Sequence, residues 1–296
     1  MKEFKIDFNF KFLKKDKIIE ILKYGLYTLL SFSSMYVAIN IDSIMLGSLA
    51  SLEVVGVYKI FMFVAVVIAF PTRALSRIVV AVIADCWKNN DINQINVIYN
   101  KTSINLFIIG SIIYIGILIN QSNFLQILNK PELYNNFNIF VILGMFSLIE
   151  GVWGLNSGIL STSSKYRYES LFALIFLVLC IVLNMILIPL LGGLGAALAT
   201  LISMIIFNSI KLVFIKKNFN MQPFCFKHLY VVLISLFAFI IGWLLPTIGN
   251  VYIDILYRSS ITFLLFLVLI LVFKISDDIN RKCFDLKHRI LSLTKI

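Results

Sequence analysis

Arg73, Arg77 and Glu150 are ionisable side chains that stand inside long apolar runs of this 296-residue chain. Arg73 and Arg77 are four residues apart, so a helix puts them on one face, with Ala69 and Ala81 at the same spacing. The result is a small-and-basic stripe. An arginine held in lipid costs from about 3 to more than 10 kcal/mol unless it faces water or a partner. Its planar fork suits phosphate, whose oxygens it binds two at a time. Arg73 and Arg77 therefore read either as a buried phosphate-binding pair or as an interfacial Arg77 with Arg73 reaching toward the same interface along its apolar stem.

Glu150 lies in the stretch Leu148-Ile149-Glu150-Gly151-Val152-Trp153-Gly154, with Gly154 and Gly158 repeating at spacing four. Small residues let helices approach closely, which turns this face toward other helices. Glu150 then reads as a proton or cation site, as a substrate contact, or as the counter-ion of Arg73. Counted from the starts of their helices, the two differ in depth by about 8 Å at roughly 1.5 Å per residue. Asp42, at the outer end of the first apolar run, reads as a solvated cap or as a cavity residue. Asn184, Asn105 and Asn208 fit either a cavity lining or hydrogen bonds between helices.

Nothing else in the sequence has the form of a catalytic set. His228 and His288 are far apart, and Cys86, Cys180, Cys225 and Cys283 make neither a CxxC pair nor a metal spacing. Gly192-Gly193-Leu194-Gly195 follows no strand and lacks the lysine-serine ending of a phosphate loop, so it reads as a tight turn. The expectation is a non-enzyme with no catalytic residue, no metal and no cofactor, and with free thiols.

Sixty per cent of the residues are hydrophobic, 14% are charged, and mean hydropathy is +0.96, well above soluble norms. The apolar residues fall in eight runs near 22–41, 55–83, 104–120, 137–160, 170–189, 194–215, 228–247 and 255–274. Runs of that length suit lipid, where each must satisfy its own backbone hydrogen bonds and so must be a helix. The fold expected is an all-α polytopic membrane protein of about eight transmembrane helices. Pro71 should kink the second of them. The organisation expected is a basic, interfacial segment at 1–21, a six-helix bundle at 22–215, two additional helices at 216–274 and a basic tail at 275–296.

The net charge of +11 is not a nucleic-acid signal, because the basic residues sit between the apolar runs. With the N-terminus inside, the inner segments hold Lys2, Lys5, Lys11, Lys14, Lys15, Lys17 and Lys23, then Lys88, Lys101, Lys165, Arg167, Lys211, Lys216, Lys217 and Lys227, then the basic tail. The outer loops hold Lys130, with Lys59 and Arg258 at span edges. The asymmetry recurs at every loop, so both termini are expected on the cytoplasmic side. Basic residues there also suit anionic membrane lipids.

Three stretches resemble the multidrug/oligosaccharidyl-lipid/polysaccharide exporter superfamily, most closely its O-antigen and polysaccharide flippases. They are Leu22-Lys23-Tyr24-Gly25 leading to Ile41-Asp42-Ser43-Ile44-Met45-Leu46-Gly47, Val55-Gly56-Val57-Tyr58 with Pro71 after it, and Gly192 through Thr200. The resemblance covers nearly the whole chain. It implies the second bundle of that two-bundle fold plus two terminal helices, in a bacterial cytoplasmic membrane. The implied function is flipping of lipid-linked oligosaccharide for cell-surface polysaccharide. Arg73 and Arg77 would then meet the pyrophosphate of a polyprenyl-linked sugar, Glu150 would couple or pair, and Asp42 and Asn184 would line the cavity. Family members carry a first bundle that this sequence does not match. A separately encoded N-terminal bundle is therefore an expected partner, and a gene fragment or remnant is the other reading of the same fact. A cation-coupled drug or metabolite exporter of the superfamily and a non-transporting scaffold are the alternative functions.

Overall fold

The computed structural model describes residues 15–281. Ten helices lie wholly within the described residues: α1 (Lys15–Leu49), α2 (Leu52–Lys88), α3 (Ile92–Ile119), α4 (Gln121–Leu128), α5 (Pro131–Tyr134), α6 (Phe137–Trp153), α7 (Asn156–Thr162), α8 (Arg167–Phe219), α9 (Phe226–Leu244) and α10 (Val251–Val272). Their ends carry local signals. Ser51 caps α2 by accepting from the Val54 amide, Asp91 caps α3 through Gln94, and Asn250 caps α10 through Tyr252 and Ile253. Asn220, left-handed at φ 56°, closes α8.

Six of these helices are long and apolar enough to cross a membrane, and α6 with α7 makes a seventh across a 46° bend. One of the six, α8, has 53 residues, about 80 Å if straight and more than twice a bilayer core. It is two arms. Gly192 stands at φ 55°, ψ −130°, a conformation closed to side-chained residues, and the chain reverses there. The Glu169–Lys211 ion pair, at 2.7 Å, joins residues that a straight helix would hold about 60 Å apart. The protein is thus an all-α polytopic membrane protein, and each of the eight apolar runs maps to a helical crossing.

α1 lies along both arms of α8, α2 packs on α6, α3 lies between α2, α6 and α9, and α10 covers α9 and α3. Lipid gives helices no hydrophobic reason to associate, so close packing and hydrogen bonds between helices hold them. Tyr58, Phe61 and Phe140 fill the core between α2 and α6 without exposure. Where the ends of α3 and α9 meet the start of α10, Arg258 pairs with Asp254 at 3.1 Å and donates to the carbonyls of Ile119 and Leu245. Asn123 and the Ile248 amide donate to Asp254 in turn. Arg258 is therefore a buried clasp where these helix ends meet.

The run at 137–160 differs from the single straight helix its apolarity predicts. Gly154 adopts φ 31°, ψ −72° and ends α6 after Trp153, so Glu150, Gly154 and Gly158 do not form one continuous stripe. Pro71 lies inside α2, which continues through it from Leu52 to Lys88. Residues 15–21 extend α1; the rest of the N-terminal segment, 1–14, and the tail from 282, with Cys283 and His288, lie outside the described residues. Cys86, Cys180 and Cys225 are free thiols.

Candidate functional site

The arms of α8 and the ends of α1 and α2 place four polar side chains together. Asn184 and Thr200 are each eight residues from Gly192, so the reversal brings them level with one another. Between them sits Asp42. Asn184 Nδ2 donates to Asp42 Oδ1 at 2.6 Å, while Thr200 Oγ1 and the Tyr58 hydroxyl donate to Oδ2 at 2.5 and 2.7 Å. Asp42 is 1% exposed, which corrects its reading as a solvated cap. The apolar run stops near it, but α1 continues to Leu49 and keeps the carboxylate inside the bundle. Among the described residues, the charge pairs within 4.0 Å are Lys101–Asp278, Lys211–Glu169, Lys227–Asp277 and Arg258–Asp254. Asp42 is in none of them. Its hydrogen bonds come from neutral donors, Lys59 acts on it only at longer range, and Asn184 Oδ1 beside it is buried without a hydrogen bond.

A small void of about 30 Å³ below this cluster is lined by Asp42, Tyr58 and Thr200 and also by Arg73 and Glu150. Arg73 and Glu150 line in addition a cavity of about 460 Å³ bounded by α1, α2, α6, α7 and both arms of α8. Arg77 faces the same cavity one helical turn further on. The structure thus gathers Arg73, Arg77 and Glu150 around one space; Asp42 lines only the small adjoining void, and Asn184, fully buried, lines neither. Arg73 and Glu150 face each other's cavity without forming an ion pair within 4.0 Å. Arg73 and Arg77 are exposed, which inside a span requires water or another protein surface opposite them. The α1 residues that line the same cavity are Thr28, Ser31, Phe32 and Met35, of which Phe32 is exposed.

Two charged residues of this cavity have no counterpart in the sequence reading. Glu169, in the first turn of α8, lines it, and Lys211 lies behind with no exposure. Lys211 reads from sequence as an inner-loop topology residue. In the structure its ammonium bonds Glu169 Oε1 and Ser157 Oγ, each at 2.7 Å, and sits 3.9 Å over the Phe207 ring. Close by, Tyr99 donates to Asn156, and Asn156 to Asn208 at 3.5 Å. Asn105 accepts from Ser276 and donates to Asp278. Asn184, Asn105 and Asn208 thus all bond between elements.

No family model matches the chain, and no curated protein matches it. A solved structure that resembles it is the outward-facing conformation of a multidrug resistance MATE family transporter of the MOP superfamily, with a TM-score of 0.47 and 21% identity. The likeness covers 74% of this chain and 52% of that one, so the chain spans about half the length of the transporter it resembles.

Proposed function

We propose that this chain is one bundle of a membrane transporter that flips a polyprenyl-pyrophosphate-linked oligosaccharide, as the motifs at Asp42, Val55–Tyr58 and Gly192–Thr200 suggest. The observation that carries the reading is the charge of the large cavity. It is lined by Arg73, Arg77, Glu150 and Glu169, and Lys211 already neutralises Glu169. Two guanidinium groups then face one free carboxylate, which favours an anionic ligand, and guanidinium forks match the oxygens of a pyrophosphate. A cavity for cationic drugs would carry the opposite excess, so the exporter reading is the weaker one.

Asp42 supplies the coupling site in this reading. A carboxylate removed from water, hydrogen-bonded by neutral donors and without a basic partner in contact is compensated by a proton or a small cation. The oxygens of Asp42, Asn184, Tyr58 and Thr200 form a cage suited to either. The exposed face of α1 and α2 is where a separately encoded second bundle would close the cavity. The lysine and arginine asymmetry supports a bacterial cytoplasmic membrane with both termini inside.

The test is binding of geranylgeranyl pyrophosphate to the purified chain in lipid nanodiscs. Binding is expected for the native chain, to weaken at least tenfold in Arg73→Ala, and to recover in part in Arg73→Lys, which keeps the charge and loses the fork. Equal binding in all three would overturn the proposal.

A further inference from the structure

The Glu169–Lys211–Ser157 cluster is not explained by phosphate binding. Lys211 is fully occupied by two hydrogen bonds and an aromatic face, so it offers nothing to an anion. Glu169 is buried at 8% exposure, lines the cavity, and leaves Oε2 without a hydrogen-bond partner. Its charge is already met by Lys211, which makes it a poor cation site. What remains is a fixed, neutralised acceptor. Beside it, Ser157 is exposed to the cavity and uses its oxygen to accept from Lys211, which leaves its hydroxyl proton free to donate. One ammonium thus fixes an acceptor and a donor next to each other in a space that is also lined by Trp153, whose ring meets Phe224 edge to face at 5.0 Å.

A donor and an acceptor held side by side match a hydroxyl group, and neighbouring hydroxyls match such a pair better than any single charged group does. An aromatic ring offers a flat apolar surface to the C–H face of a sugar ring. We propose that Glu169, Ser157 and Trp153 form a subsite for a neutral pyranose, with Lys211 as the residue that positions it. This rests on the reading of the cavity as a lipid-linked sugar site and divides that cavity in two. Arg73 and Arg77 hold the phosphate end, and the first turn of α8 with α7 reads the sugar.

Two probes, one free of phosphate and the other free of sugar, separate the two ideas. The full chain in nanodiscs, with Trp87→Phe and Trp243→Phe so that Trp153 reports alone, is titrated with a panel of p-nitrophenyl pyranosides, whose nitrophenyl group quenches tryptophan. It is titrated separately with geranylgeranyl pyrophosphate. Saturable quenching is expected from at least one pyranoside. It should weaken about tenfold in Ser157→Ala, which keeps the ion pair, and in the paired change Glu169→Met with Lys211→Met, which removes it without stranding a charge. Arg73→Ala should leave pyranoside binding within twofold while it abolishes pyrophosphate binding. Quenching by no pyranoside, or quenching unchanged in Ser157→Ala and in the paired variant, overturns the sugar subsite. Pyrophosphate binding that ignores Arg73 overturns the flippase reading instead, whatever the pyranosides do.

Discussion

Asn184 donates a 2.6 Å hydrogen bond to Asp42 from 142 positions further along the chain. The bond exists because α8 turns back at Gly192, and it couples the C-terminal half of α1 to the hairpin. The neighbouring amide oxygen, Asn184 Oδ1, is buried and unpartnered. Asp42→Asn should therefore fold: Asn184 can turn its amide over and accept from the new side-chain nitrogen. Asp42→Leu leaves Asn184 and Tyr58 without their acceptor, while Thr200 keeps the Ala196 carbonyl, and at about 1–3 kcal/mol per stranded polar group it should lose on the order of 3 kcal/mol. Thermal unfolding in detergent compares the two variants. In a transport assay, Asp42→Asn should remove dependence on the driving cation or proton, and unchanged dependence would exclude Asp42 from coupling.

Gly192 is the hinge of the same arrangement. At φ 55°, ψ −130° no residue with a Cβ is comfortable, and strain of about 1–3 kcal/mol is expected for Gly192→Ala. A melting temperature lowered by several degrees is the expected readout. An unchanged one would mean that the turn relaxes without moving Asn184 and Thr200, and crosslinking of cysteines placed at 184 and 200 would show whether it does.

The sequence makes some of this legible and hides the rest for identifiable reasons. Arg73, Arg77 and Glu150 stand out because a charge in an apolar run has no ordinary explanation, and all three face one cavity. Gly192–Gly195 reads as a turn from glycine content alone, and the chain does reverse there. Glu169 and Lys211 do not stand out. Each lies close enough to a basic inner loop for the positive-inside pattern to absorb it, and nothing local announces a partner 42 residues away. Asp42 misleads in another way: the apolar run weakens before the helix ends, so a buried carboxylate reads as a terminal cap. Gly154 breaks a helix that hydropathy reports as continuous, because hydropathy carries no information about φ and ψ.

Arg258 and Asp254 should behave as a structural pair. Arg258→Ala removes the partner of a 1%-exposed carboxylate and frees the carbonyls of Ile119 and Leu245, so a loss of about 3–5 kcal/mol is expected. Combining it with Asp254→Asn should return part of that loss, since the charge is then gone while Asn123 and the Ile248 amide keep an acceptor. A double variant no more stable than Arg258→Ala would show that the carbonyl contacts, and not the charge, hold α10 in place.

Topology is tested by single cysteines in a chain without Cys86, Cys180, Cys225 and Cys283. An impermeant thiol reagent should reach residues 128 and 249 from outside intact cells and residues 90 and 165 only after permeabilisation. The expectation follows from Lys88, Lys165 and Arg167 on one side and the sparse charge of the other loops. Labelling of residue 165 in intact cells would invert the orientation and place the Arg77 end of the cavity outside.

Arg73 and Glu150 provide the sharpest separation of a structural role from a transport role. They line the same cavity, yet they are not within ion-pair distance. A buried salt bridge that loses one member destabilises by about 3–5 kcal/mol, because the survivor is left uncompensated. No such pair exists here, so Arg73→Ala should leave the amount of folded protein in the membrane near normal. Once the second bundle is supplied, the same change should abolish flipping. Arg77→Ala, one turn nearer the inner loops, should reduce flipping less. The double variant Arg73→Ala with Glu150→Gln discriminates further. If the two residues pair during the transport cycle, each single change should lower folded protein and the double should restore it. If Arg73 serves the substrate, the double should be as abundant and as inactive as Arg73→Ala alone. Membrane protein level and transport, measured together on the native chain, the two single variants and the double, decide between these outcomes, and native-level transport by Arg73→Ala would end the phosphate-binding assignment.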